Sequence, residues 1–310
     1  MIEICNLTKK FGRFTAIDNL SFTVTEGEVL GFLGPNGAGK STTMKVITGF
    51  LSASAGTVIV DGYDISKNPI EVKSLIGYLP EGAPCYGDMT TEAFLKFIAR
   101  IRGYRGEEIV KRVQHVVDQV ELQSVCQQTI ETLSKGFRRR VGLAQAIMHD
   151  PKVLILDEPT DGLDPNQKHH VRALIKNLAR DKIVIISTHI LEEVTAVCSR
   201  AIIIAEGRIV ADGTPAELES RSKYHHAVTV RLTDDYDLAA DLSGLTAVSA
   251  VEKDESEELT YTILAAGKTS IFAQVSEIAQ SKNWPITEFH VSRGRLEDVF
   301  RSVTQAQGGK

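Results

Sequence analysis

A glycine-rich loop between an apolar run and a helical pattern is the feature that most constrains this chain. The run Val29–Leu33 precedes the loop, which fits G-x-x-x-x-G-K-[ST]. Its residues are Gly34, Pro35, Asn36, Gly37, Ala38, Gly39, Lys40, Ser41 and Thr42. Only small residues let backbone N–H groups wrap a phosphate at a helix N-terminus. Lys40 is predicted to reach the β- and γ-phosphates, and the Ser41 hydroxyl to bind Mg²⁺.

The composition is that of a globular protein. The 310 residues are 43% hydrophobic and 24% charged, which excludes a disordered chain and a coiled-coil rod. A net charge of -5 and a pI near 5.9 give no reason to expect a nucleic-acid or anionic-lipid surface as the main partner. There is no apolar run of about 18 residues and no apolar signal core at the N-terminus, so we expect neither a membrane span nor a secretory signal.

The first 215 residues or so alternate short apolar runs with amphipathic helical patterns, which predicts an α/β fold with a largely parallel sheet. The predicted strands, expected to be buried on both faces, are Val29–Leu33, Thr57–Val60, Val153–Leu156 and Ile183–Ser187. Between about residues 82 and 150 helical spacing replaces the strands, which predicts a helical insertion. Glu206-Gly207 then predicts a tight hairpin between two apolar runs.

A second, smaller domain is predicted after residue 220. We expect domains over residues 1–220 and 221–310, the second with an α+β fold. Its predicted strands and helix are Val228–Leu232, Thr246–Val251, Leu259–Leu264, Ile286–Val291 and the helix Ile271–Ala279. No catalytic pattern is visible in it, and Trp284 is interpreted as a packing residue.

Two adjacent carboxylates follow the apolar run Val153–Leu156. Asp157 and Glu158 therefore stand at the carboxyl end of a buried strand, where open α/β sheets bind ligands. This reads as a Walker B motif, in which Asp157 would hold Mg²⁺ through water and Glu158 would act as the general base on the attacking water. The alternative is a pair of carboxylates that only cap a helix.

Further motifs in a fixed order carry a family resemblance. Leu133-Ser-Lys-Gly-Phe137 opens a helix before the Walker B strand, Asp161-Gly-Leu-Asp164 follows that strand, and His189 follows the apolar run that ends at Ser187 and Thr188. With the P-loop, these residues make the chain resemble the ATPase subunits of ABC transporters over about residues 1–220. The resemblance implies a P-loop ATPase fold with a helical subdomain, and ATP with Mg²⁺ as its ligands.

The resemblance also implies roles for single residues. In such proteins two ATPase domains pair head to tail, so Ser134 and Gly136 would touch the γ-phosphate held by the opposite subunit. Asp164 matches the position that couples the two sites. His189 matches the switch histidine that contacts the γ-phosphate and helps to hold the attacking water and Glu158 in geometry. Phe11 matches the aromatic residue that stacks on adenine, with Phe14 as the second candidate and simple core packing as the alternative.

The signature and the Q-loop depart from the family pattern. Lys135 stands where the family usually has glycine, and Phe137 where it usually has glutamine. Glu81 occupies the position of the Q-loop glutamine; we expect it to take part in Mg²⁺ or water contacts while adding negative charge beside the triphosphate. Arg138-Arg-Arg140 is interpreted as helix-surface charge with interface contacts rather than as a nucleic-acid patch.

The resemblance therefore implies an ATP-hydrolysing subunit of a membrane exporter. The closing Leu296-Glu-Asp-Val-Phe300 resembles the end of bacterial export-type subunits. The expected partners are a separate transmembrane permease and a second ATPase subunit, with a homodimer favoured and no nucleic acid, at the cytoplasmic face of the membrane.

Two other classes of protein are alternatives to this interpretation. A soluble ABC ATPase acting on ribosomes or DNA would usually carry two cassettes or a long coiled-coil insertion, whereas this chain has one P-loop and an insertion of about 70 residues. A regulatory module that holds ATP without hydrolysing it would lack the base or the switch residue, and both Glu158 and His189 are present.

Overall fold

The computed structural model describes residues 1–82, 85–254, 257–267 and 269–305. Residues 83 and 84, inside the predicted helical insertion, and 306–310, at the end of the predicted second domain, lie outside the described residues. The chain separates into two compact units, residues 1–212 and 213–309, here called the N-terminal and C-terminal units. Among the described residues, no helix combines the length and the apolar character needed to cross a bilayer.

The N-terminal unit is built from strands and helices that alternate along much of its length. The strands are β1 (Ile2–Phe11), β2 (Phe14–Val24), β3 (Val29–Leu33), β4 (Ala55–Val60), β5 (Tyr63–Asp64), β6 (Ile76–Leu79), β7 (Val153–Asp157), β8 (Ile183–Thr188), β9 (Arg200–Ala205) and β10 (Arg208–Gly213). The helices are α1 (Lys40–Ile47), α2 (Pro69–Leu75), α3 (Thr91–Ile101), α4 (Glu107–Gln119), α5 (Lys135–Ile147), α6 (Pro165–Leu178) and α7 (Leu191–Val197), with short 3-10 turns at Gln123–Val125 and Ile130–Thr132.

The central sheet has six strands in the order β10-β9-β3-β8-β7-β6. Strands β9, β3, β8, β7 and β6 are parallel to one another, and every residue of β3, β7 and β8 is buried, as predicted. The register pairs Leu33 with Thr188 and Asp157 with Ser187. Because parallel strands end at one edge of a sheet, the loops after β3, β7 and β8 meet there.

A second sheet of four strands, in the order β2-β1-β4-β5, is antiparallel. It contains the predicted strand Thr57–Val60, so the prediction that this strand is buried on both faces is wrong. Val58 and Val60 are buried, whereas Thr57 and Ile59 between them are partly exposed. The alternation is that of a strand that packs one face on the core, which a short β-branched run does not reveal.

The helical insertion forms as predicted from its apolar spacing. Helix α3 begins after Thr90, whose side chain accepts a hydrogen bond from the Ala93 N–H at 3.2 Å. Phe94 and Ile98 of α3 pack in a buried cluster together with apolar residues of α4 and α5. Each such buried side chain contributes about 1.5 to 3 kcal/mol. Ile101 is an exception, since it is 63% exposed at the end of α3.

The C-terminal unit has an α+β fold. Its elements are α8 (Pro215–Glu219), β11 (His225–Leu232), α9 (Leu238–Leu242), β12 (Val248–Lys253), β13 (Thr260–Ala265), α10 (Phe272–Ser281), β14 (Ile286–Arg293) and α11 (Leu296–Gln305). The antiparallel strand order β12-β13-β11-β14 gives the βαββαβ arrangement of ferredoxin-like folds. Trp284 packs in its core, and its indole N–H donates to Asp241 at 2.8 Å.

Candidate nucleotide-binding and hydrolysis site

The P-loop leaves β3 at the sheet edge and turns directly into α1. Gly37 and Gly39 have φ angles of 82° and 107°, and Gly39 is the left-handed residue that caps α1. A Cβ on Gly39 would lie 2.5 Å from the Ala16 carbonyl oxygen, and one on Gly34 would lie 2.5 Å from that of Ile204. Glycine is therefore required at these positions, and the loop presents its backbone N–H groups at the start of a helix.

We expect Gly39→Ala to lower the free energy of unfolding by about 2 to 4 kcal/mol, because left-handed strain adds to the clash with Ala16. Gly37→Ala is the matched control, since its φ is also positive but nothing lies within 4 Å of an added Cβ. It should cost only about 1 to 2 kcal/mol. Urea unfolding without nucleotide measures both values, and equal losses would contradict the argument from packing.

Lys40 is the first residue of α1 and is buried, with 6% of its surface exposed. Its ammonium donates to the carbonyl oxygens of Gly34 at 2.7 Å and Pro35 at 3.2 Å, both in the P-loop. Burial lowers the pKa of Lys40, and the nearby carboxylates of Glu158 and Asp157 counteract part of this effect. The P-loop thus surrounds the Lys40 ammonium, at the place where a phosphate would lie.

Asp157 ends β7 and is almost fully buried, at 1% exposure. Its Oδ1 accepts hydrogen bonds from the Ser187 hydroxyl and, at 3.4 Å, from the Ser41 hydroxyl. Its Oδ2 is buried without a hydrogen-bond partner among the residues that the structure describes. A free carboxylate oxygen beside a serine hydroxyl is a donor set that suits Mg²⁺, which takes few protein ligands and completes its shell with water and phosphate. The residues present therefore fit this ion.

Glu158 and His189, the two predicted catalytic residues, are in contact. His189 Nδ1 lies 2.8 Å from Glu158 Oε2, and the glutamate side chain is only 12% exposed. Glu158 has a φ of 52°, an uncommon backbone conformation for this residue type, and its N–H donates to the Ser187 carbonyl at 3.0 Å. The turn after β7 therefore directs this carboxylate toward the residue that follows β8.

Glu81 follows β6 and lies close to this centre. It lines a cavity of about 270 Å³ together with Glu158, Asp161, Lys135 and residues of α5. Its negative charge also acts on the buried Lys40. The predicted Q-loop position thus lies in the same cavity as Glu158.

We expect Glu81→Gln to bind ATP severalfold more tightly, because it removes one negative charge near the triphosphate. The gain should shrink at high salt, where exposed charges are screened. Titration with a fluorescent ATP analogue at two salt concentrations measures the effect, with the exposed Glu71→Gln on α2 as the control. Weaker binding would instead show that the Glu81 carboxylate holds the metal ion.

The signature residues are placed at the start of α5. The Ser134 hydroxyl caps this helix and accepts from the Phe137 N–H at 3.3 Å. Gly136 is buried against the Gln167 side chain, and no hydrogen bond joins Ser134 or Gly136 to the P-loop in the described ranges. Asp164 likewise caps α6, accepting from the Gln167 N–H at 2.9 Å. Their predicted roles across a dimer interface stay predictions.

Phe11 lies at the tip of the β1–β2 hairpin, where it pairs with Phe14. It is 47% exposed, so the alternative of simple core packing is wrong. Farther along β2, Ala16 abuts Gly39 of the P-loop, and Lys9 stands 5.1 Å from the centre of the Phe11 ring. An exposed aromatic ring on the hairpin whose second strand contacts the phosphate loop suits adenine stacking, which stays a prediction.

Arg139 was missed by the sequence analysis. The interpretation of Arg138–Arg140 as surface charge is wrong for this residue, which is buried at 7% exposure. It donates hydrogen bonds to backbone carbonyls around Asp157 and Glu158. Helical spacing could have found it, because Gly136 and Leu143 at i−3 and i+4 are also buried.

Comparison with known proteins agrees with this geometry. Residues 17–161 match the family model described as ABC transporter. The linearmycin resistance ATP-binding protein LnrL of Bacillus subtilis (strain 168) is 34% identical over 307 residues, 98% of each chain. The probable multidrug ABC transporter ATP-binding protein YbhF of Escherichia coli (strain K12) is 35% identical over 223 residues, which cover 72% of this chain but 38% of that protein.

A solved dimeric bacterial ABC transporter cassette is similar in structure, with a TM-score of 0.64 and 26% identity over 69% of this chain and 99% of that chain. This likeness over more than two thirds of the chain confirms the predicted fold class. The LnrL similarity extends over nearly the whole chain. This chain therefore belongs to the family of ABC transporter ATP-binding proteins.

Proposed function

We propose that this protein binds and hydrolyses ATP to energise a separate transmembrane permease, with export as the direction of transport. The observation that carries the hydrolytic part is the 2.8 Å contact between His189 and Glu158 beside the Ser41–Asp157 pair. The transport part is supported by the names of its relatives, which refer to linearmycin resistance and to a probable multidrug transporter.

In this proposal the P-loop and Lys40 bind the triphosphate. The backbone N–H groups at the start of α1 and the Lys40 ammonium hold the β- and γ-phosphates. Ser41 and Asp157 would hold Mg²⁺, which supplies charge neutralisation at the phosphates when it is bound. The exposed ring of Phe11 would stack on adenine.

Glu158 would carry the proton transfer. Its carboxylate would orient a water molecule and accept a proton from it as the new bond to the γ-phosphorus forms. The bond between that phosphorus and the bridging oxygen breaks, and ADP leaves with the electron pair. His189 contacts the same carboxylate through Nδ1 and so keeps it from turning away. Glu81, which lines the same cavity as Glu158, would make water or metal contacts.

A second copy of the chain would complete the site. Ser134 and the N–H of Gly136 at the start of α5 would contact the γ-phosphate held by the other protomer, and Asp164 would couple the two sites. The positive end of the α5 helix dipole favours such a contact. The similar solved cassette is itself dimeric.

The test is a capture experiment from native membranes, with Glu158→Gln and ATP used to hold the closed dimer. Recovery of a multi-span membrane protein would support the transporter role and identify its partner. The control is Lys40→Ala, which should fail to close on ATP. Recovery of ribosomes or DNA instead, with ATP binding intact, would overturn the transport part and leave the ATPase chemistry standing.

A further inference from the structure

The buried side chain of Arg139 on α5 donates hydrogen bonds to four backbone carbonyl groups. Its Nη1 donates to the Pro80 carbonyl at 3.0 Å and its Nε to the Pro159 carbonyl at 3.3 Å. Its Nη2 donates to the carbonyls of Asp157 and Glu158. One buried side chain thus joins the helix that begins at the signature to two separate loops at the sheet edge.

These carbonyls need such a partner because they lie at or just past the ends of β6 and β7, beyond the last residue pair between the two strands, Leu79 and Leu156. Buried carbonyl groups without donors are costly. A guanidinium offers five N–H donors in a fixed plane, which no other side chain can match. Burial lowers the pKa of Arg139, and the carboxylates of Asp157 and Asp161 counteract part of this effect.

The contacts enclose the backbone of Glu158 on both sides. Its N–H donates to the Ser187 carbonyl at 3.0 Å, while Arg139 binds the carbonyls of Asp157 and of Glu158 itself. A left-handed conformation such as the φ of 52° at Glu158 persists only where surrounding contacts hold it. This backbone conformation directs the carboxylate to His189.

We propose that Arg139 is a positioning residue for Glu158. The orientation of the Glu158 carboxylate then depends on the position of α5 in the same chain. Through Pro80 the same guanidinium also holds the loop that carries Glu81. A movement of α5, the helix that begins at the signature, would therefore shift both Glu158 and Glu81. The inference rests on the proposed hydrolytic role of Glu158.

The test compares Arg139→Ala and Arg139→Lys with Arg140→Gln in the full chain. Arg140 is the matched control because it is the next residue of α5 and pairs with the exposed Glu121. We expect Arg139→Ala to lower kcat by about 10²-fold, the loss that follows a misplaced catalytic group. Affinity for a fluorescent ATP analogue should stay at the wild-type value, because the P-loop is untouched.

Added guanidinium ion should restore part of the rate of Arg139→Ala, whereas methylammonium should not. Arg139→Lys keeps the charge and most of the volume but cannot reach four carbonyls, so its kcat should also fall while it remains folded. This variant keeps the test valid should Arg139→Ala fail to fold.

A double variant separates positioning from a folding defect. In a Glu158→Gln background, Arg139→Ala should cause no further loss of rate, because the carboxylate that Arg139 positions is already gone. An equal loss in both backgrounds, or a wild-type kcat for Arg139→Lys, would overturn the inference. If Glu158→Gln alone turned over like the wild type, the proposed function would fail instead, and the two failures are thus distinguishable.

Discussion

Replacing Glu158 by glutamine should lower the rate of ATP hydrolysis by about 10²- to 10⁴-fold, the usual contribution of a general base. Glutamine has nearly the same shape but cannot accept the proton of the attacking water. ATP binding should be retained, because the phosphates are held by the P-loop and Lys40. Phosphate release measures the rate, and filter binding of labelled ATP measures the retained nucleotide.

The control for this change is Glu192→Gln. Glu192 is a nearby carboxylate at the start of α7, but its side chain is 75% exposed and pairs with Arg172. It should hydrolyse ATP at the wild-type rate. Loss of ATP binding together with hydrolysis in Glu158→Gln would mean that this carboxylate supports the nucleotide site rather than the chemical step.

Lys40→Ala, in contrast to Glu158→Gln, should lower the affinity for ATP. Charge-assisted hydrogen bonds contribute about 1.5 to 3 kcal/mol each. Loss of two such bonds to phosphate corresponds to an increase in Kd of roughly 10²- to 10⁴-fold. Titration with a fluorescent ATP analogue in the presence of Mg²⁺ measures the change.

Lys45→Ala provides the comparison, since Lys45 stands in the last turn of the same helix α1. It should bind ATP as the wild type does. Thermal unfolding without nucleotide checks that Lys40→Ala is folded, because Lys40 also donates to two P-loop carbonyls. Unchanged affinity in a folded Lys40→Ala would remove this lysine from the phosphate site.

Lys135 and Glu81, two residues that differ from the family pattern, lie in the same part of the structure. Both residues line the 270 Å³ cavity next to Glu158, together with Arg138 and Arg139. The additional carboxylate at position 81 therefore faces cationic side chains of α5. This arrangement explains how a negative charge is accommodated so close to the proposed triphosphate site.

The sequence by itself determined the elements whose signals are local. The strands β3, β7 and β8 follow from continuous apolar runs, and the turn at Glu206-Gly207 is confirmed by φ angles of 49° and 76°. The glycines of the P-loop follow from conformations and close contacts that larger residues cannot make. The helical insertion was likewise predicted from its apolar spacing, because a helix repeats its buried face every three to four residues.

Tertiary structure alone decided which of these residues meet. The parallel register of β7 with β8 brings Asp157 beside Ser187 and allows Glu158 to reach His189, and no pattern along the chain encodes that pairing. The same holds for the contacts of Arg139: helical spacing can place this residue on the buried face of α5, but only packing of α5 against the sheet edge brings it to the carbonyls of Asp157 and Glu158. Local conformation is encoded by neighbouring residues, whereas contacts between distant segments are decided by packing and by the burial of their polar groups.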